Sequence, residues 1–214
     1  MIEKLKLEKQ LLGFYLSDHP LKHLTKPAKL VSPVSISHLE ETKDRTKVSI
    51  VAMIPELKQI TTRKGDRMAI IQLEDLSGSC EAIVFPKTYL KLSEFLLTDT
   101  RLLLWGTIDK RSDKTQLIVD DCREIDNLKL LVIYLDSSQA SDIRIQNTIR
   151  DCLVKFKPDR DKCGTKIPVI AEVNHNGSVT YVKFGDQFCI GDVSGASKLL
   201  QEKSFEINLK SLVS

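Results

Sequence analysis

With 214 residues and a formal net charge of +3, the chain is long enough for one large domain or two small ones, and too weakly basic overall to announce a nucleic-acid partner. No apolar run approaches the roughly 20 residues needed to span a bilayer, so a membrane-spanning class is set aside. The five cysteines (80, 122, 152, 163 and 189) form no Cys-x-x-Cys pair, and an odd number so spaced suits neither a disulfide framework nor a zinc site; they read as reduced thiols of a cytoplasmic protein.

Residues 3 to 16 place Leu5, Leu12, Tyr15 and Leu16 on one side of a helix, and Ser17-Asp18 with Pro20 end it. An apolar face this broad reads as half of a joint whose other half lies outside the sequence. Thr25 to Arg45 holds prolines, serines and little periodicity, which predicts a connector. From Lys47 the period changes to two. "KVSIVAMI", continuing past Pro55 through "ELKQITT", is a strand; "TRKGDR" is a basic turn; "MAIIQLED" and "SCEAIVF" are strands joined by "LSG". Pro86 starts a helix carrying Tyr89, Leu92 and Leu96, and "RLLLWGTID" and "TQLIVDDC" are two more strands around the turn "KRSDK". Three strands, one helix, two strands is the order of an OB-fold, a five-stranded Greek-key barrel with a helix between its third and fourth strands.

After Asn127 the pattern changes again. "LKLLVIYL" reads as a strand buried on both faces, Ser141 caps a helix with a stripe of Ile145, Ile149, Cys152, Leu153 and Phe156, and Asn176-Gly177 turns a hairpin between "IPVIAEV" and "SVTYVKF". A short strand near "QFCI", a helix near "ASKLLQE" and a strand at "SFEINL" complete a small α/β unit. The expected fold class is mostly β with α+β: a helical segment and connector (1–45), an OB-fold domain (46–126) and a C-terminal α/β domain (127–214).

No constellation for catalysis is found. Two-metal nucleotidyl transfer needs clustered carboxylates, whereas Asp120-Asp121 and Glu74-Asp75 are adjacent on strands, so each pair splits between two faces and reads as solvated strand ends. His19 and His23 have metal-ligand spacing but Pro20 interrupts the helix between them, while His38 and His175 stand alone in loops. The chain by itself is expected to be no enzyme and to need no metal or cofactor.

An OB barrel binds its ligands on the face of strands two and three, flanked by the loops joining strands one to two and four to five. Those two loops are locally basic. The first holds Lys58, Arg63, Lys64 and Arg67, and the second holds Lys110, Arg111 and Lys114, two loops expected to converge at one edge. Phe85 and Trp105 are the candidate stacking aromatics, with Tyr89 a third; Trp105 in "LLLWG" also fits the core. The barrel segment as a whole holds 12 basic and 13 acidic residues, so attraction for a phosphate backbone must be local. Binding is expected to be weak, salt-sensitive and indifferent to sequence.

"KLEKQLLGFYLSDHPL", followed by "AIIQLEDLSGSCEAIVFPKTY", resembles the C-terminal portion of the bacterial replicative DNA polymerase, the alpha subunit of DNA polymerase III. The first motif resembles the segment where that family's tandem helix-hairpin-helix region meets its OB domain. The second resembles OB strands two and three. The resemblance implies that the opening helix packs on the polymerase body and that the polymerising aspartates, with a histidine-rich phosphoesterase-like domain, lie upstream. It also implies that the barrel meets single-stranded template DNA and that the last domain docks on the clamp-loader subunit. "QLLGF" (10–14) has the composition of the family's clamp-binding motif, but its place inside a helix predicts that the true motif lies upstream. The expected function is a noncatalytic replisome module whose partners are single-stranded DNA, the remainder of the alpha subunit and the clamp-loader subunit. Two alternatives stay open: an interaction scaffold whose barrel ignores DNA, and an anticodon-binding OB domain of a tRNA synthetase, which requires stacking aromatics and prefers RNA.

Overall fold

The computed structural model describes residues 20–24, 29–31, 34–110, 114–159 and 165–213. The helix expected over 3–16, its QLLGF stretch, His19, Arg111 and Cys163 lie outside the described residues.

Strand β1 (Lys47–Thr61) is long enough to pair with two neighbours in turn, first β4 and then β2. Pro55 has no N–H to give a ladder, and the register shifts between Met53 and Glu56, so the proline sits in the irregularity that lets the strand bend from one partner to the next. β2 (Arg67–Glu74) alternates plainly, with Ala69, Ile71 and Leu73 fully buried. β3 (Ser79–Val84) leads through Pro86, at the first helical position, into α1 (Pro86–Leu92), whose Tyr89 and Leu92 seal one end of the barrel core. β4 (Arg101–Asp109) and β5 (Gln116–Glu124) follow. The strands close in the order β1-β2-β3-β5-β4, with one parallel contact between β3 and β5, which is the OB-fold barrel.

The β2–β3 turn is held by Asp75. Its Oδ1 accepts from the Ser77 amide (2.6 Å), the Ser77 hydroxyl (2.6 Å) and the Gly78 amide (3.1 Å), and its Oδ2 accepts from the Ile36 amide (2.8 Å). Asp75 is therefore no solvated strand end. It fixes the turn and ties the 3-10 turn of the connector (Ile36–His38) to the barrel.

A second sheet follows: β6 (Lys129–Asp136), β7 (Val169–His175), β8 (Ser178–Lys183) and β9 (Glu206–Ser211), in the order β8-β7-β6-β9 with β6 and β7 parallel. The crossover runs through α2 (Ser137–Ser141) and α3 (Ile143–Val154), and α4 (Val193–Glu202) precedes β9. Ser141 ends α2 rather than capping α3. The cap of α3 is Asp142, whose carboxylate accepts from the Arg144 amide at 2.7 Å, and α2 has its own capping box of Asp136 and Gln139. "QFCI" forms no strand; it holds the end of a 3-10 turn (Asp186–Phe188) and a single bridge from Ile190 to Ile167. The hairpin at Asn176-Gly177 has positive φ at both residues, 49° and 85°, which matches the backbone twist of tight hairpins.

The two sheets share a core. In β1 and β4 the inward residues Ile50, Ala52, Ile54, Leu102 and Leu104 fill the barrel. The alternate residues Val51, Met53, Leu103 and Trp105 point out of it and join Leu130, Val132 and Ile170 of the second sheet, Leu212 just after its last strand, and Leu21, Leu24 and Val31 of the connector, in one buried cluster. The opposite face of the second sheet carries the helices. Ser49, the buried polar side chain of this junction, donates to the Val31 carbonyl (3.0 Å) and accepts from Lys183 Nζ (2.8 Å), so connector, barrel and β8 meet at one hydroxyl.

Candidate nucleic-acid interface

Among the described residues, the second sheet covers the first half of β1 and β4, and the outer surface left open is that of β2, β3, the first half of β5 and the far half of β1. Cross-strand register arranges its outward side chains in rows. One row runs Lys58–Ile70–Ile83–Ile118 across β1, β2, β3 and β5. The next, away from the β1–β2 turn, runs Glu56–Gln72–Glu81–Gln116, and in it the Gln116 amide donates to the Glu81 carboxylate. On the other side of the isoleucine row, nearer the β1–β2 turn, Ile60 pairs with Met68.

The β1–β2 turn is built by its own backbone. The Gly65 amide donates to the Thr62 carbonyl (2.9 Å), the Thr62 amide to the Asp66 carbonyl (2.8 Å), and the Asp66 amide to the Thr62 hydroxyl (3.1 Å). Gly65 sits at φ +88°, a conformation other L-residues resist, and the space around it is open. This geometry projects Arg63 and Lys64 into solvent, with Lys58 and Arg67 exposed on the flanking strands. Among the described residues none of these four cations has an ion pair, so their charge faces solvent from one end of the open face.

The β4–β5 loop is different. The Lys110 amide donates to Asp44 Oδ1 (3.0 Å), and its ammonium donates to the Glu40 carbonyl, so this lysine is occupied in holding the connector. Lys114 is exposed, and Arg111 lies outside the described residues. The loops also do not converge at one edge. The first opens beside Met68 and the second beside Gln116, two rows away, so a strand touching both must cross the open face.

Phe85 is 45% exposed at the end of β3 and is available to a ligand, while Tyr89 is buried under α1. Trp105 is not available. It is 3% exposed, belongs to the junction with the second sheet, and has Lys166 Nζ 4.3 Å over its ring. The apolar run "LLLWG" fits such a place, and the structure settles Trp105 as core. Asp121, next to it in the ladder, is half-buried; burial pushes its carboxyl up from the usual range, and Lys166 partly offsets this. It is therefore not a solvated strand end either. Asp120 is exposed and accepts from the Thr107 hydroxyl at 3.3 Å. The aliphatic row Ile70–Ile83–Ile118 on the outer face is not singled out by the sequence, because a strand's outward isoleucines look like inward ones.

His23 is exposed in a 3-10 turn (Lys22–Leu24), and His38 Nδ1 is 2.6 Å from the Ser35 hydroxyl. Among the described residues no three His, Cys, Asp or Glu side chains gather as a metal site, and no helix is long and apolar enough to cross a membrane.

Residues 48–125 match the family described as OB-fold nucleic acid binding domain. Among characterised proteins, the DNA polymerase III subunit alpha of Bacillus subtilis (strain 168) is 29% identical over 194 residues, which cover 85% of this chain and 17% of that protein. The corresponding subunit of Aquifex aeolicus (strain VF5) is 32% identical over 149 residues, covering 69% of this chain and 12% of that protein. The chain thus spans only a small part of these relatives' length. Among solved structures, the second OB-fold domain of replication protein A from Methanococcus maripaludis is 14% identical with a TM-score of 0.33, covering 44% of this chain and 96% of that one.

Proposed function

We propose, from this chain's kinship with DNA polymerase III alpha subunits, that it is a noncatalytic module of a replicative polymerase whose barrel (46–126) holds single-stranded template DNA. The observation that carries this reading is the placement of charge. Among the described residues Lys58, Arg63, Lys64 and Arg67 have no ion pair, and they stand at one end of the barrel face that the second sheet leaves open. Four cations at the mouth of such a face attract a flexible polyanion and bind it through phosphates, which positions the strand without reading its sequence. Trp105 takes no part, Lys110 serves the connector, and Lys114 and Phe85 remain contacts at the margins. Arg111 is retained as a contact from its place in the β4–β5 loop.

The unit 127–214 is assigned to protein docking, with the clamp-loader subunit and the rest of the alpha subunit as partners. Edge strand β8 supports this, because Val179, Tyr181 and Val182 are 48, 46 and 50% exposed on a strand whose outer backbone groups are open to pairing.

The test is fluorescence anisotropy of a labelled oligodeoxythymidylate titrated with the full chain at low salt, beside a variant carrying Arg63→Ala and Lys64→Ala and beside an RNA of equal length. Binding that the variant loses supports the reading. Preference for RNA would move the barrel to the anticodon-binding class. No binding of either at low salt would leave it an interaction scaffold.

A further inference from the structure

We propose that in the free chain the open edge of β8 pairs with β8 of a second copy, antiparallel across a two-fold axis at Thr180, which joins two four-stranded sheets into one. The proposal rests on the protein-docking reading of this edge and names its occupant when no other partner is present. Phe184 donates its amide to the Val169 carbonyl (3.1 Å), and from there the β7–β8 ladder runs without a register shift to the pair His175–Ser178. Bonded and non-bonded pairs alternate along an antiparallel ladder, so Ser178, Thr180 and Val182 turn their backbone groups toward β7. Val179 and Tyr181 turn theirs outward, and among the described residues no strand is paired beyond them.

The distribution of charge favours a like strand. Proteins guard open sheet edges with prolines, bulges and charges, including charges directed inward. β9, the other edge of this sheet, carries Glu206 and Lys210, the latter turned in onto Glu172 at 3.1 Å. β8 carries no charge from Ser178 to Val182, no proline and no bulge. Its last residue, Lys183, is held inward by Asp186 (2.9 Å) and the Ser49 hydroxyl (2.8 Å). Glu172, opposite Tyr181 in the ladder, is neutralised by Lys210. Two such edges meet without repulsion, and they offer nothing that would select an acidic or a basic segment.

Register supplies the match. An axis at Thr180 sets Val179 of each copy opposite Tyr181 of the other, on the sheet face away from the helices. These are the residues with outward backbone groups, so each of the two pairs exchanges both its N–H···O bonds. An aromatic facing a β-branched residue is a favourable cross-strand pair, and the two side chains are 48 and 46% exposed before pairing. On the helix face Thr180 meets its own counterpart, and Val182 meets Ser178. An axis at Tyr181 would instead set Val179 against Lys183. One strand edge buries less than the roughly 1,000 Å² of a stable interface, so the dimer is weak and forms only as concentration rises.

The test is sedimentation equilibrium of the full chain, from low micromolar to near-millimolar concentration, beside Thr180→Lys, Thr180→Glu and their equimolar mixture. Thr180 is exposed, so both variants should melt close to the unmodified chain. Like charges meeting across the axis should raise the dissociation constant at least about tenfold in either variant alone. The mixture sets opposite charges against each other and should return to within about threefold of the unmodified chain. Hydrogen exchange at the Val179 and Tyr181 amides, read by NMR, should slow as concentration rises. A chain that stays monomeric throughout overturns the second copy but leaves the edge to a different partner, so the docking reading survives that result. A dimer that both variants leave intact places the contact elsewhere and overturns the proposal. A dimer lost in both variants and not restored by their mixture overturns the axis at Thr180.

Discussion

Leu103 is fully buried although it points out of the barrel, because the second sheet lies against it. Its neighbour Leu104 is equally buried but faces inward, into the barrel core. In a free-standing barrel the two would differ sharply, since an outward leucine on a solvated strand contributes within about 0.5 kcal/mol. Here both should behave as core. Truncating a fully buried leucine to alanine costs about 2–5 kcal/mol, through lost transfer energy and the cavity left behind. Taking about 3 kcal/mol for Leu103→Ala, a chain of this size should lose roughly 6–12 °C of melting temperature. Leu104→Ala should fall in the same range, and Ile143→Ala, at a side chain 64% exposed, should fall near zero. Urea denaturation followed by tryptophan emission reads the junction directly, because the chain's single tryptophan, Trp105, lies in it. Leu103→Ala should lower the midpoint and shift native emission to the red. A Leu103→Ala cost below about 1 kcal/mol beside a full Leu104→Ala cost would refute the packing argument, since it would mean that the outer face of β4 is solvated.

Gly106→Ala should destabilise by about 1–3 kcal/mol or more, because an added Cβ would lie 2.4 Å from the Ile118 carbonyl oxygen at the β4–β5 irregularity; thermal melting reads this, and an unchanged melting point would contradict it. Asp121 has a folded-state pKa above its unfolded one, so its contribution is fully present below the unfolded value of about 3.9 and is lost as pH rises through the raised folded value. Asp121→Asn should therefore flatten the fall of stability over that rise, and an unaltered pH profile would count against burial as the cause. Asp136 and Asp142 work in the opposite sense: a hydroxyl bond from Ser138 and an amide bond from Arg144, respectively, hold their carboxyls below the usual range, so their caps persist above the ordinary aspartate value and fail as pH falls through the lower one. Burial pushes the Cys80 and Cys189 thiols up to about 12, so in the native chain both should resist iodoacetamide at pH 8, and rapid labelling by mass spectrometry would show that these sites open.

The barrel was legible wherever a strand has one wet face. β2 alternates cleanly, Gly65 marks its turn, and Asn176-Gly177 marks the later hairpin, so order and class are legible in the residues themselves. Legibility failed where two faces are buried. "VSIVAM" and "LLLWG" carry no polar alternation to say which residues meet a second sheet, so for Trp105 a core place and a stacking role both stay open from sequence. Long-range pairing was equally hidden: nothing near Lys110 in sequence says that Glu40 and Asp44 engage it, and nothing near Asp75 predicts its bond to Ile36. Cap chemistry was misplaced by a single residue, from Asp142 to Ser141, because both types cap well.

The central claim is that a single strand is held by the four cations around the β1–β2 turn, and the salt dependence of binding tests it most directly. If Lys58, Arg63, Lys64 and Arg67 each neutralise a phosphate, log affinity should fall with log salt at a slope of about −2.8, a loss of roughly 50-fold between about 50 and 200 mM salt. Arg63→Ala with Lys64→Ala should halve the slope to about −1.4 and the loss to roughly sevenfold. A slope that the double substitution leaves unchanged would place the contact elsewhere and contradict the account.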